Sequence, residues 1–165
     1  MDWLEIERKF IVPKLPKNLE SYKHDEIEQW YFVLKENIEE RVRHKWNKFY
    51  HTKKVWHWKI REEYENEITK EEFDSIWPKT EWKRIHKTRY VIPYKNHNIE
   101  LDIYHNKLEW LIMSEIEFNN EEESKNFIFP KRFWKEITND DKYKNINLIY
   151  SSFDNIKKSS NWRTE

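Results

Sequence analysis

Charged residues recur at every second position in several short segments, and most of these segments carry one sign of charge. The acidic pairs are Glu5/Glu7, Glu100/Asp102 and Glu115/Glu117, and the basic pairs are Arg41/Arg43 and Lys87/Arg89. Carboxylate oxygens are the ligands that Mg²⁺ and Mn²⁺ prefer, and Arg and Lys side chains bind phosphate oxygens. The pairs therefore indicate chemistry in which acids hold divalent cations and bases hold phosphate groups.

A spacing of two places these side chains on one face of β-strands. In the segment Leu4 to Phe10, for example, Glu5, Glu7 and Lys9 share one face, and Leu4, Ile6 and Phe10 share the other. For any one strand, the simplest interpretation is a solvated face of an antiparallel sheet. Like charges on one short strand repel, however, and five strands here carry them. Together they favour charged faces that line a closed barrel, with apolar faces outside.

Three helices are expected to cover the apolar faces. Thr69 and Glu72 form a capping-box pattern, followed by a helix that turns Phe73, Ile76 and Trp77 inward and ends near Pro78. A second helix is predicted over 120–127, with Asn120 as its N-cap, and a third over 144–149. Between two strands, Trp46-Asn47 predicts a hairpin turn in which Asn47 is able to take the left-handed conformation. The fold class is mainly β (α+β).

The composition excludes several classes of site. The 165 residues suffice for one domain, the net charge is +0, and there is no Cys. Disulfides, thiolate metal sites, and Cys nucleophiles are therefore excluded, and the balanced charge argues against nucleic acid and membrane partners. A glycine-rich phosphate loop is impossible without Gly. The seven His show no recognised metal-ligand spacing. No signal peptide or membrane span is predicted, so we expect a cytoplasmic protein.

The chain contains no Gly and no Ala but 10 Trp. Average usage predicts roughly 12 glycines in this length. An AT-rich source explains the abundant Asn, Lys and Ile but not the Trp. We interpret the pattern as the mark of a recoded or designed sequence.

The order and spacing of the charged segments resemble the small bacterial CYTH proteins, the triphosphate tunnel metalloenzymes, from Trp3 to about Asn147. The matching segments are 5–10 (EIERKF), 40–43 (ERVR), 61–65 (REEYE), 87–90 (KTRY), 99–102 (IELD), 114–118 (SEIEF) and 142–145 (KYKN). We therefore expect a single CYTH-like domain over 1–150 and a frayed polar tail over 151–165. Family members usually have Gly where this chain has Trp30, Trp46, Trp56, Trp58, Trp82, Trp110 and Trp134.

The resemblance implies an eight-stranded antiparallel β-barrel tunnel, with helices packed outside, that hydrolyses inorganic triphosphate with Mg²⁺ or Mn²⁺. The implied metal ligands are Glu5, Glu7, Glu63, Glu65, Asp102, Glu115 and Glu117. The implied substrate-binding residues are Lys9, Arg41, Arg43, Lys54, Arg61, Lys87 and Arg89. The implied catalytic residues are Glu5, Glu7, Lys9 and Glu63. We expect a monomer or homodimer.

Other functions remain open at the level of sequence. Family members also cleave thiamine triphosphate or RNA 5′-triphosphates, or cyclise ATP as class IV adenylate cyclases. A non-catalytic triphosphate-binding module and an engineered scaffold are further alternatives. The full set of acids favours catalysis, because binding an anion does not by itself require carboxylates.

Overall fold

The computed structural model describes residues 6–35, 37–57, 60–80, 83–129 and 135–150, and the side chains of these residues except 33, 34, 56, 57, 60 and 61. Predictions that concern Glu5, the Arg61 side chain or residues 151–165 lie outside the described part of the chain. Among the described residues, no helix is long and apolar enough to cross a membrane.

In the described residues, nine β-strands form one sheet. They are β1 (Ile6–Ile11), β2 (Lys23–Lys35), β3 (Ile38–Lys45), β4 (Lys48–His57), β5 (Ile60–Ile68), β6 (Arg84–Tyr94), β7 (His97–Tyr104), β8 (Ile112–Phe118) and the two-residue β9 (Lys135–Glu136). Their order is β5-β4-β3-β2-β6-β7-β8-β1-β9, and each neighbouring pair is antiparallel. The mainly β, antiparallel fold is thus confirmed. Side chains of β5 and β1, near opposite edges of the sheet, line one cavity, so the sheet curls into a tunnel wall.

The inner face of the curled sheet changes character along its length. Its middle carries the charged side chains, whereas one end is apolar, as at Tyr31, Tyr104 and Met113. Residues after β9, including Tyr143 and Leu148, pack into this apolar end. The sequence analysis placed apolar residues outside only; the structure shows that they also close the tunnel at one end.

The helices are α1 (Lys70–Ile76), α2 (Glu121–Asn126) and α3 (Asn145–Leu148). The predicted capping box of α1 is present, with Thr69 and Glu72 bonding each other's backbone N–H, and Asn120 caps α2 through its side chain. α1 buries Phe73 against Trp30 and Val42 on the outer face. α3 differs from the expectation of helices outside, because it lies at the end of the cavity.

Trp46 and Asn47 form the predicted two-residue turn between β3 and β4. The residue with positive φ is Trp46 (60°), and Asn47 is not among the residues that have one. The left-handed position of the turn is therefore taken by Trp46 and not by Asn47. A two-residue hairpin loop with positive φ only at its first residue is the place where a type II′ turn prefers Gly.

Candidate functional site

The inner face surrounds one cavity of about 890 Å³ to which all eight long strands contribute side chains. Strand periodicity explains this, because alternate residues of each strand point to the same face. The sheet pairs then align charged residues: Lys9 lies opposite Glu115, and Glu7 opposite Glu117. On the other half, Lys54 lies opposite both Glu39 and Glu63.

Most of the predicted site residues line this cavity. They are Glu7, Lys9, Arg41, Arg43, Lys54, Glu63, Glu65, Lys87, Arg89, Glu115 and Glu117. Asp102 is absent from the lining, because it is buried beneath the cavity wall with 1% of its surface exposed.

One wall, formed by β1, β7 and β8, is rich in carboxylates. The Lys9 ammonium lies 3.0 Å from a Glu7 oxygen and 2.9 Å from a Glu115 oxygen. Burial alone would raise the pKa of Glu115, but the positive charges of Lys9 and Arg89 outweigh it and hold this pKa well below its ordinary value. Glu117 behaves oppositely: burial and the negative charges of Glu100 and Glu7 raise its pKa. This wall therefore carries an excess of negative charge.

The facing wall, from β3 to β5, carries Arg41 and Arg43. Arg43 donates to both carboxylate oxygens of Glu65, at 2.8 and 2.9 Å, and Lys54 lies 2.8 Å from Glu63. Glu63 and Glu65 thus occur among bases rather than with the other predicted metal ligands. Burial and the nearby charge of Arg41 lower the pKa of Arg43. The small positive excess of this wall follows from its lining side chains, which are Arg41, Arg43, Lys45 and Lys54 against Glu39, Glu63 and Glu65. The buried Nε atoms of Arg41 and Arg43 have no hydrogen-bond partner.

A buried ion triad joins the two walls. The Lys87 ammonium lies 2.6 Å from one Asp102 oxygen, and the Arg89 guanidinium donates to both Asp102 oxygens at 2.6 and 2.7 Å. Burial and the charge of Arg89 lower the pKa of Lys87 to about 8, despite its ion pair. The pKa of Asp102 is also lowered: burial opposes the shift, and the two cations prevail. The Arg89 charge contributes to both shifts, because it adds to the effect of burial on the ammonium and opposes the effect of burial on the carboxylate.

The sequence analysis missed several residues that line the cavity. They include Gln29, Tyr31, Glu39, Thr138, Asp140, Asp141 and Asn145, whereas Glu100 lines the cavity as its acidic pair predicts. β2 has one pair of like charges, Glu26 and Glu28, but strand alternation places it on the face opposite to Gln29 and Tyr31, so the pair gives no sign of these two residues. Asn145 lies in the matched 142–145 segment, and its side chain accepts a 2.8 Å hydrogen bond from the Tyr104 hydroxyl. This contact supports a packing role for that segment.

The carboxylate wall fits a hard divalent cation. Glu7 and Glu117 lie directly opposite on neighbouring strands, where like charges destabilise each other unless a cation lies between them. Repulsion by Glu7 is also one of the causes, after burial and Glu100, of the raised pKa of Glu117. All donors that this wall offers are carboxylate oxygens, the ligand type that Mg²⁺ and Mn²⁺ prefer over softer atoms.

Comparison with known proteins places the chain among triphosphatases. No family model matches the sequence. A protein of Nitrosomonas europaea named inorganic triphosphatase is 35% identical over 149 residues, which cover 89% of this chain and 97% of that protein. The solved structure of an inorganic triphosphatase superposes with a TM-score of 0.70 at 34% identity, covering 90% of this chain and 96% of that one.

A more distant structure shares the fold. A Hippeastrum protein studied as a candidate adenylyl cyclase, and described as having a dominant triphosphatase activity, has a TM-score of 0.58 at 17% identity. It covers 74% of this chain and 83% of its own length. At this identity the likeness shows the fold alone.

Proposed function

This chain belongs to the CYTH-type inorganic triphosphatase family, and we propose that it hydrolyses inorganic triphosphate in its charged cavity with a divalent metal ion. The observation that carries the proposal is the separation of charge in one cavity: Glu7, Glu100, Glu115 and Glu117 line one wall, and Arg41, Arg43 and Lys54 line the other. A metal complex of a polyphosphate has the complementary distribution of charge.

The arginine wall is proposed to bind the phosphate chain. The partnerless Nε atoms of Arg41 and Arg43 supply buried donors, and an unpaired buried donor costs about 1–3 kcal/mol until an acceptor reaches it. Phosphate oxygens satisfy such donors with charge-assisted hydrogen bonds. Lys87 and Arg89 extend the same surface, and Asp102 beneath them holds both in position. Lys54 and Arg61 are assigned to this group by the sequence pattern.

The carboxylate wall is proposed to hold the metal through Glu7, Glu115 and Glu117, together with Glu5 from the sequence pattern. Mg²⁺ and Mn²⁺ both suit these oxygens. When bound, such an ion neutralises charge on the phosphate oxygens and activates water for attack. Lys9, now shared by Glu7 and Glu115, can turn to a phosphate oxygen once these carboxylates have a metal partner.

Glu63 and Glu65 are assigned a different role from the one the resemblance implied. Their ion pairs with Lys54 and Arg43 hold these bases in position toward the substrate, which is compatible with a shared contact to a second metal ion. We further propose a cytoplasmic enzyme that is a monomer or homodimer.

Phosphate release from tripolyphosphate, thiamine triphosphate and ATP, each with Mg²⁺, Mn²⁺ or EDTA, tests the function. We expect the highest rate with tripolyphosphate and no hydrolysis in EDTA. Glu117→Gln should lose nearly all activity yet keep its fold, because it removes a carboxylate that its neighbours repel. Glu67→Gln is the matched control, since Glu67 is half-exposed on β5 and pairs with Lys48. Metal-independent hydrolysis, or full activity of Glu117→Gln, would exclude the proposed site.

A further inference from the structure

Two imidazoles and one carboxylate meet on the outer face of the sheet, opposite the cavity. Glu26 lies on β2, His86 on β6, and His105 directly after β7. One potential ligand atom from each of the three lies within 4.8 Å of the others. Lys87 and Arg89 line the cavity, so their neighbours on β6, His86 and Thr88, point away from it. The cluster is therefore separate from the carboxylate wall.

Hydrogen bonds show which ring nitrogens of this cluster carry a hydrogen. Glu26 accepts from His86 Nε2 at 2.8 Å and from the Thr88 hydroxyl at 2.5 Å. Since the only hydroxyl hydrogen of Thr88 goes to Glu26, the 2.6 Å contact between Thr88 Oγ1 and His105 Nε2 requires a proton on that nitrogen. His86 thus donates to the carboxylate and His105 to the Thr88 hydroxyl oxygen, and a metal ion can replace both protons.

The backbone holds the imidazoles near each other before any ligand binds. The His105 N–H donates to the His86 carbonyl at 2.9 Å, and the two ring centroids are 4.7 Å apart. Glu26 and Thr88 are direct partners across β2 and β6. A tetrahedral ion with metal–nitrogen bonds of about 2.0–2.1 Å places its ligand atoms about 3.3 Å apart. Glu26 is 59% exposed, so its side chain can rotate to close the remaining gap.

The carboxylate is in its ionised form. Partial burial alone would raise the pKa of Glu26, but the hydrogen bonds from Thr88 and His86 outweigh it and lower this pKa. Imidazole nitrogen with one carboxylate oxygen is the donor set of Zn²⁺ and of neighbouring transition ions, whereas Mg²⁺ prefers oxygen alone.

We propose that Glu26, His86 and His105 form a second metal site, which binds a Zn²⁺-class divalent ion on the outer face of the sheet. Three protein ligands leave a fourth position for water. Thr88 contacts Glu26 and His105 and orients both ligands. The bound ion links β2, β6 and the end of β7, and it stabilises the folded state because the unfolded chain does not bring these ligands together.

Titration calorimetry with Zn²⁺ on the full chain, in excess Mg²⁺ to occupy the carboxylate wall, tests the site. We expect one Zn²⁺ per chain that is lost in His86→Gln/His105→Gln and bound more than about tenfold more weakly by Glu26→Gln, since loss of a ligand should exceed the effect of losing an outer contact. The matched control is His51→Gln, because His51 also contacts a carboxylate, that of Glu40 at 3.0 Å. It should bind Zn²⁺ as the wild type does.

A second measurement keeps the proposal testable if the double variant is unstable. In wild-type protein, the imidazole NMR signals of His86 and His105 should shift together on addition of Zn²⁺, and those of His51 should not. Triphosphate hydrolysis in Mg²⁺ should be unchanged in Glu26→Gln, so the outcome is independent of the proposed function. If Zn²⁺ binding were the same in all variants, or left the His86 and His105 signals unmoved, the cluster would be a hydrogen-bond network and not a metal site.

Discussion

At the scale of single residues, Asp102 has the largest effect on the charges that line the cavity. Its carboxylate is buried and holds two cations, Lys87 and Arg89, that both line the cavity. Taking charges out of water costs several kcal/mol per ion unless partners repay it. Asp102 thus makes it possible for two positive charges to lie side by side in the tunnel, and it acts on the substrate through them.

Replacing Asp102 by Asn should cost about 3–5 kcal/mol of unfolding free energy, because two buried cations lose their shared counter-ion. Urea unfolding measures this. Asp74→Asn is the control, since Asp74 pairs with Lys70 at 2.5 Å with both side chains more than half exposed; it should cost no more than about 0.5 kcal/mol. Similar losses of unfolding free energy in both variants would mean that the triad contributes no more stability than an ion pair on the surface.

Lys87 should make triphosphate binding depend on pH above neutrality. Since its pKa is about 8, it loses its charge as the pH rises through this value, and a bound polyanion should restore it by proton uptake. Calorimetry of a non-hydrolysable imido analogue at pH 8.5, in buffers of different ionisation enthalpy, should detect this uptake, and Lys87→Met should lose it. Equal uptake in the variant would assign the proton to the ligand.

The lowered pKa of Lys87 also makes the free energy of unfolding depend on pH. Between pH about 8 and about 10.4, the unfolded chain holds the Lys87 proton and the folded state does not. The unfolded state then binds more protons, so this group adds stability as pH rises through that window.

At the scale of elements, the β3–β4 hairpin contains a residue that does not suit its turn. Trp46 has φ 60° and is 61% exposed. Its indole N–H donates to Asp25 at 2.5 Å, which compensates for part of the backbone cost. The hairpin nevertheless has to form correctly, because Arg43 and Lys54 reach the cavity from its two strands.

Comparing Trp46→Gly with Trp46→Ala separates these contributions, since both remove the indole and only Gly relieves the left-handed backbone. We expect the Gly variant to be more stable by about 1–2 kcal/mol. Lys48, two residues later in β4, provides the control: there Gly should be less stable than Ala by about 0.5–1 kcal/mol. Thermal unfolding of the four variants measures both differences. If Ala were equal to Gly at position 46, the positive φ would carry no cost.

At the scale of the whole molecule, curling of the sheet brings walls of opposite charge excess face to face. Glu7 and Glu117 lie near one edge of the strand order, and Lys54 and Arg43, on β4 and β3, lie toward the other. The length of the basic wall then sets how long a phosphate chain can bind along it. The apolar end, closed by Tyr143 and Leu148, limits that length from one side.

Arg41→Ala should therefore weaken binding of an imidotriphosphate more than that of an imidodiphosphate, because the longer anion contacts more of the basic wall. Each charge-assisted contact is worth about 1.5–3 kcal/mol, or roughly a tenfold to hundredfold loss of affinity. Arg41→Lys should recover part of it, since an ammonium cannot make two parallel hydrogen bonds. Calorimetry with both ligands tests this, with Arg84→Ala as control because Arg84 contacts Trp77 rather than the cavity. Equal losses for both ligands would mean that Arg41 acts locally.

The strands that carry alternating charges, their charged faces and the two helix caps could be predicted from the sequence, whereas β2 and β9 were not predicted. Alternation in β1, β3, β6 and β8 and the pair Thr69/Glu72 are local features, and strand pleat and helix geometry convert them directly into structure. The same alternation indicated carboxylates for metal and arginines for phosphate, and the spacing of the segments identified the family.

Only the tertiary structure decided which charges neutralise one another. Glu63 and Asp102 have the same sequence signature as Glu117, yet the first pairs with Lys54, the second holds two buried cations, and the third remains among like charges. Register across strands and depth below the surface set these differences, and neither is encoded within a single segment. For the same reason His86 and His105, nineteen positions apart, gave no sign of meeting Glu26: hydrogen bonding between distant strands brings them together.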